Sequence, residues 1–351
     1  MENNGKIILT LNNIGMIKSA SLDINGLSVI AGKNDEGKST VGKALMALIK
    51  ADNMGKKFQK NRQSPQENQS DNEKKKSFDR LISLLFDDDI SKNGEILLQT
   101  QTQEIFVKIK DDKCLDFGNN AQHNTFLDCT FIQSPLVWDL FEFFSSIKTL
   151  EVENSFYLES STSIKYPYVL WDLYKKLNVP KQHKTPYLKE ILESAKLAMK
   201  GQFIKRNDRF YFVRPNAKGS INEIQLKNIA IGIKSFGIVQ TLLENSYITP
   251  QGFFVFDEPE NHLHPIWQVA FAEILVKLVE KKICIMVNTH SPYMLEALQK
   301  YSQKYKTRAN FYLADNGEIK QIDNDNSTTL EVIYQKLNES FVEMDKIEEE
   351  A

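Results

Sequence analysis

The sequence predicts an α/β fold built on a mainly parallel sheet, and three observations carry that expectation. A buried-type strand, Leu27–Ala31, runs into a glycine-bounded loop and then an amphipathic helix. A second continuous apolar strand, Phe253–Phe256, ends in two carboxylates. A third, Ile283–Val287, follows one helix later, and strands alternating with helices require crossover connections and hence parallel pairing.

Lys6–Leu11 reads as a short β-rich run and Ala20–Ile24 as an alternating strand. After Gly37, the residues Val41, Ala44, Leu45, Leu48 and Ile49 recur at helical spacing and form one apolar face. Asp52–Ser77 is rich in Lys, Gln, Asn, Ser and Glu, which predicts an exposed insertion carrying Lys56, Lys57, Lys60, Arg62 and Lys74–Lys76. Glu95–Leu98 and Glu104–Ile109 predict a hairpin, and Phe126–Ile132 a further strand. Leu136–Leu150, Tyr168–Leu177 and Tyr187–Met199 read as helices. Phe203–Lys205, Arg209–Arg214 and Ile221–Leu226 read as a meander, with turns at Asn207-Asp208 and Asn216–Gly219. Pro265–Lys281 should be a helix with Ile266, Val269, Ala270, Ile274, Leu275 and Leu278 facing inward, and Pro292–Lys300 another helix. Asn310–Leu313 and Ile319–Ile322 should close the sheet as an edge hairpin. The expected organisation is therefore 1–139 and 221–351 as two parts of one head, with 140–220 as an inserted helical and β lid.

The 351 residues carry a net charge of -2, so a nucleic-acid partner would have to be met by a local patch. Cys114, Cys129 and Cys284 share no metal-ligand spacing, and an odd scattered set suits a reducing compartment. No apolar run approaches the ~20 residues that span a bilayer, and the N-terminus lacks a signal-peptide layout. A cytoplasmic location without membrane contact is expected.

The most specific motif is Gly32-Lys33-Asn34-Asp35-Glu36-Gly37-Lys38-Ser39-Thr40, which fits G-x-x-x-x-G-K-[ST] throughout. Glycines let such a loop turn its N–H groups onto phosphates, and the following helix presents its positive end to the same anion. Lys38 then supplies charge between the β- and γ-phosphates, and the Ser39 hydroxyl a ligand for Mg²⁺. ATP with Mg²⁺ is the expected ligand pair, which makes the chain a P-loop NTPase. Asp257, at the end of its strand, can hold the hydrated Mg²⁺ beside Ser39. Glu258 can orient or deprotonate the attacking water. His290 ends the next strand, where an imidazole can sense the γ-phosphate. His262, His264 and His290, three of five histidines, sit in the loops after these two strands. A dedicated transition-metal site at His262-x-His264 lacks further spaced ligands.

Taken together, Gly32–Thr40, Asp257-Glu258-Pro259-Glu260-Asn261-His262-Leu263-His264-Pro265 and Thr289-His290-Ser291-Pro292 resemble the ABC-class ATPases of the RecF/SMC type. They are closer still to the standalone AAA family ATPases related to the ATPase half of OLD-family proteins, many of which act in bacterial anti-phage systems. The resemblance covers residues 6–50 and about 221–315. It implies an ABC-head-like fold with an antiparallel β subdomain, and an ATP-hydrolysing dimer that sandwiches two nucleotides. It places Lys234-Ser235-Phe236-Gly237 where the signature loop belongs, with Ser235 and Gly237 reaching the γ-phosphate held by the second copy. Asn261–His264 would cross the dimer interface, and Gln133 would watch Mg²⁺. The sequence departs from L-S-G-G-Q at Phe236 and Ile238, which argues against a transporter. No heptad arm interrupts the halves, and too few residues follow the last strand pair for a Toprim domain, so a nuclease or other effector would be a separate partner protein. The alternative is a RecF-like DNA-binding repair or sensing ATPase, using the 56–76 insertion with Lys205, Arg206, Arg209 and Arg214.

Overall fold

In the computed structural model, residues 5–60, 67–86, 90–120, 124–147, 167–181, 188–215 and 220–339 are described. Their core is an 11-stranded sheet in the order β6-β5-β4-β1-β2-β14-β13-β3-β12-β11-β7. β3 (Leu27–Ala31), β7 (Asp128–Ile132), β11 (Gly252–Asp257), β12 (Cys284–Thr289) and β13 (Ala309–Asp315) run parallel to one another. β1 (Ile8–Ile14), β2 (Ile17–Asp23), β4 (Asn93–Gln99), β5 (Glu104–Lys110) and β6 (Lys113–Asn119) form an antiparallel half continuous with it. The α/β class and the antiparallel subdomain expected from the sequence are both present.

Burial on two faces explains the continuous apolar strands. Along β11, Phe253 and Val255 join the core beneath α1 (Lys38–Lys60) and α2 (Glu67–Phe86). Phe254 and Phe256 join the opposite core with α7 (Pro265–Glu280) and α8 (Pro292–Tyr305). Val41, Ala44, Leu45, Leu48 and Ile49 of α1 are all buried, as their spacing requires. Residues 141–147 are helical (α3), followed by α4 (Tyr168–Asn178), α5 (Lys189–Met199) and the meander β8 (Gln202–Arg206), β9 (Arg209–Pro215) and β10 (Ile221–Gln225). α6 (Ile231–Glu244) returns the chain to β11.

Several expectations need correction. The described residues of the polar segment 52–77 are helical: α1 continues to Lys60 and α2 starts at Glu67. The polar composition hides a buried stripe in α2, where Phe78, Leu81, Ile82 and Leu85 recur at helical spacing. The hairpin of β13 and β14 (Glu318–Lys320) is internal, because β14 also pairs parallel with β2 and so joins the two halves of the sheet. Ile266 is 65% exposed, being in the first turn of α7 before the helix reaches the core. A final helix, α9 (Ser327–Leu337), was not anticipated. The ends of the expected helices at 148–150 and Tyr187, the turn 216–219 and the acidic run 348–350 lie outside the described residues.

One polar feature ties α4 to α1 and β7. Lys50 of α1 and Lys176 of α4 each bridge both Asp128 and Asp172, at 2.7–2.9 Å. Lys50, Asp172 and Lys176 are buried. Burial alone would push both carboxyl groups up, but Lys176 and Lys50 outweigh it and hold Asp128 and Asp172 below the ordinary aspartate value. The same carboxylates outweigh burial at Lys50 and raise it well above the lysine value.

These shifts set a pH window. The contribution of the two aspartates is complete above about pH 4, their unfolded range, and disappears as pH falls through their lower folded values. That of Lys50 is complete below about pH 10 and disappears as pH rises through its higher folded value. We expect Lys50→Met to destabilise the chain by up to about 3 kcal/mol, since it leaves two buried carboxylates to share the single charge of Lys176. Urea denaturation at neutral pH measures this, and the deficit of the variant should shrink as the aspartates are protonated in strong acid.

Candidate nucleotide site

The sheet order places the motif residues in a row. β3, β12, β11 and β7 are consecutive neighbours, and their carboxyl ends are level: Ala31 pairs with Thr289, Asn288 with Asp257, and Phe256 with Ile132. The loop Gly32–Gly37 leaves β3, Asn288–His290 ends β12, Asp257-Glu258 ends β11 and Gln133 follows β7. The carboxyl edge of a parallel sheet is where ligands bind in α/β folds, because the loops there diverge around a crevice.

Sterics fix the loop. A Cβ on Gly32 would lie 2.5 Å from the Ala314 carbonyl oxygen, and one on Gly37, at φ +77°, 2.4 Å from the Ile17 side chain. Asp35 is also left-handed, at φ 65°. Lys33, Asn34 and Asp35 are exposed, Glu36, Ser39 and Thr40 half-buried, and Gly32, Gly37 and Lys38 buried. The Lys38 ammonium donates to the carbonyls of Gly32 (3.0 Å) and Lys33 (2.6 Å). Burial lowers its pKa, against the pull of Glu258 and Asp257. Among the described residues it bridges no carboxylate, so its charge faces the loop. The Lys33 side chain instead pairs with Glu339, past the end of α9.

The Ser39 hydroxyl lies 2.9 and 2.8 Å from the two Asp257 carboxylate oxygens. Asn288 donates to the same carboxylate at 2.7 Å and to the Lys38 carbonyl at 3.1 Å. Burial raises the Asp257 pKa, while the Asn288 and Ser39 hydrogen bonds lower it. A hydroxyl and a carboxylate side by side beneath a phosphate-type loop suit Mg²⁺, which takes few protein ligands and completes its shell with water and phosphate. Among the described residues no cluster of three His, Cys, Asp or Glu could hold a metal by itself, and His262-x-His264 forms none. The His264 imidazole instead caps α7, accepting from the Ile266 N–H at 3.4 Å.

Glu258 adopts a left-handed backbone, at φ 50°. Asn261 donates to its Oε2 at 3.1 Å, and His290 Nδ1 lies 3.3 Å from its Oε1. Gln133 is exposed and lines a small cavity of about 70 Å³ together with Ser235, Glu258, Asn261 and His262.

Ser235 and Gly237 are not at a helix start. α6 begins at Ile231 with Ala230 as its cap residue, so Ser235 is buried in the second turn. Gly237 is small because a Cβ would fall 2.4 Å from the Phe203 ring. Placing a serine at the helix N-terminus misjudged the start by about one turn. Asn288 and Glu260 were missed as site residues, although an asparagine ending the apolar run Cys284–Val287 was a visible signal.

The P-loop, its acidic partner strand and a strand-end histidine stand on a mixed sheet of the P-loop fold that SMC heads also have. The chain belongs to the AAA family described as "AAA domain, putative AbiEii toxin, Type IV TA system", whose model matches residues 27–296. Among solved structures, the SMC head bound to the C-winged helix domain of ScpA is similar with a TM-score of 0.52 at 11% identity, covering 93% of this chain and 100% of that one. An SMC head with an extended coiled coil, bound to the C-terminal domain of ScpA and derived from Pyrococcus furiosus, gives 0.47 at 12% identity, covering 95% and 100%. The SMC head domain from Thermotoga maritima gives 0.45 at 13%, covering 90% and 97%. No curated protein matches the chain in sequence.

Asn288→Ala leaves the buried Asp257 carboxylate and the Lys38 carbonyl short of a donor. We expect a loss of about 1–3 kcal/mol, read as a lower Tm. Asn288→Asp, which sets a second carboxylate against Asp257, should cost more.

Proposed function

We propose that the chain binds ATP with Mg²⁺ and hydrolyses it as a dimer whose closing and opening governs a separate effector protein in anti-phage defence. The observation that carries this reading is the meeting, at the ends of adjacent strands, of the Ser39 hydroxyl with Asp257 and of Glu258 with His290. Lys38 leaves its carbonyl partners for the β- and γ-phosphates. Ser39 and Asp257 would hold the metal, which would neutralise charge on the phosphate oxygens. Glu258 accepts a proton from the water whose oxygen bonds to the γ-phosphorus, while the bond from that phosphorus to the β-phosphate oxygen breaks and ADP leaves. His290 lies within reach of Glu258 and holds it toward that water.

Exposed apolar side chains support the dimer. Leu136, Ile231, Ile266 and Tyr293 are 46%, 42%, 65% and 57% exposed, and it is their placement about the candidate site that suits cover by a second copy. Leu136 follows β7, and Ile266 and Tyr293 open the helices after β11 and β12, all at the carboxyl edge of the sheet. Ile231 opens α6, where Gly232 abuts Trp267 and Leu263. The second copy's contact with the γ-phosphate then comes from the α6 N-terminus at Ala230–Gly232 instead of Ser235. Segment 140–220 would carry the change to the effector, through α4 and its bridges to Lys50. A protein partner agrees with the SMC head of similar fold that was solved bound to the C-winged helix domain of ScpA. A defence role agrees with the toxin–antitoxin wording of the family description.

The DNA-binding alternative draws less support. Lys205 pairs with Asp208 and Arg206 with Glu223. Lys74 pairs with Asp52 and Asp71, Lys75 with Asp116, and Lys76 with Glu73. The side chains of Lys56, Lys57, Lys60 and Arg62 lie outside the described residues. No described helix is long and apolar enough to cross a membrane.

Two variants test the reading. Lys38→Ala should abolish ATP binding in a filter or calorimetric assay. Glu258→Gln should keep binding, lose hydrolysis by about 100-fold or more, and elute as a dimer with ATP. Elution of Glu258→Gln as a monomer at saturating ATP would remove the dimer, and an unimpaired hydrolysis rate would remove Glu258 as the base.

A further inference from the structure

Glu260 is two residues beyond Glu258 yet points the other way, into the protein, and is 5% exposed. Its Oε1 accepts three hydrogen bonds, all from the segment that ends β12: the Thr289 hydroxyl at 2.7 Å, the His290 N–H at 2.9 Å and the Ser291 N–H at 3.2 Å. His290 Nδ1 lies 3.5 Å from the same oxygen. Without Glu260, the Thr289 hydroxyl and the His290 N–H would lose this acceptor, and the Ser291 N–H would keep only the Thr289 hydroxyl, at 3.0 Å. The one backbone bond beside it, from the Glu258 N–H to the Asn288 carbonyl, holds the residue before the turn and not the turn itself. A second tie supports the same join: the Ser291 hydroxyl caps α8 through the Met294 N–H and donates to Gln268, whose amide donates to the Leu263 carbonyl.

We propose that Glu260 is a positioning residue for ATP cleavage: its carboxylate fixes the 289–291 turn to the 258–264 loop and so sets His290 against Glu258. The inference rests on the ATPase reading above and adds a residue and a role to it. It makes the two loops one hydrogen-bonded body, so a second copy pressing on Asn261–His264 moves His290 directly, without a change in the P-loop. Glu260 touches neither nucleotide nor metal in this arrangement. Its loss therefore acts on the rate of cleavage while leaving the Lys38, Ser39 and Asp257 contacts in place.

The test compares Glu260→Ala with Glu260→Gln in the full chain, by single-turnover ATP cleavage, ATP affinity and amide hydrogen exchange. The glutamine carbonyl can accept the same three donors, whereas alanine accepts none. Glu260→Ala should slow cleavage by about 10- to 100-fold, the usual effect of removing an outer partner that orients a reacting group, with ATP affinity little changed. Exchange at the His290 and Ser291 amides should speed up in that variant. Glu260→Gln should restore most of the rate and the amide protection. Cleavage by Glu260→Ala within about threefold of the wild-type rate, or a loss of ATP affinity as large as the loss of rate, would overturn the role in cleavage. Unchanged amide exchange in Glu260→Ala would overturn the clamp itself. A wild-type chain that binds but does not cleave ATP would instead refute the ATPase reading, and the exchange comparison would still decide whether Glu260 holds the turn.

Discussion

The buried carboxylate of Asp257 is the group on which the arrangement depends. It stands at the end of β11, where burial opposes its charge, and it draws in the donors that offset that cost: the Ser39 hydroxyl from the P-loop helix and the Asn288 amide from β12. Three chain segments far apart in sequence are thereby fixed within hydrogen-bond distance. Asn288 extends the join by donating to the Lys38 carbonyl, so the helix that would face the phosphates cannot shift without disturbing both strands. The same feature that costs stability gathers the ligands a divalent cation needs.

A second polar knot lies midway along that helix. Lys50 reaches Asp128 at the start of β7 and Asp172 on α4, and Lys176 closes the square. Asn245, which ends α6, donates to the carbonyls of Lys176 and Leu177. α4 is therefore held to the P-loop helix on one side and to α6 on the other. A buried ion square is a poor source of net stability compared with apolar packing, but it is strongly directional. It fixes the orientation of α4 against α1 and β7. At the far side, the Trp138 indole donates to the Lys234 carbonyl, and the Lys234 ammonium bridges Asp139, so the turn after Gln133 is also fastened to α6.

Most of the parallel half of the sheet was legible in the sequence because β3, β11 and β12 are buried on both faces and therefore read as unbroken apolar runs. The P-loop was legible because its constraints are local, namely glycines where a Cβ would strike Ala314 or Ile17 and a lysine and serine at fixed spacing. Segment 52–77 was misread because its polar stretch is the first part of α2, whose apolar stripe, Phe78 to Leu85, begins only after Ser77. Ser235 was misplaced for a related reason. Helix starts are usually marked by a side-chain cap, and Ala230 offers none.

The sequence by itself determined the chemistry on offer: a phosphate loop, a strand-end carboxylate pair and a strand-end histidine, each defined by residues adjacent in the chain. The tertiary structure decided which of these groups meet and which other residues hold them there. Strand order sets β3, β12, β11 and β7 side by side, and that order is a property of long-range pairing that no local pattern encodes. Asn288 and Glu260 acquire their roles only there, because a buried donor or acceptor is defined by the partner that folding brings to it.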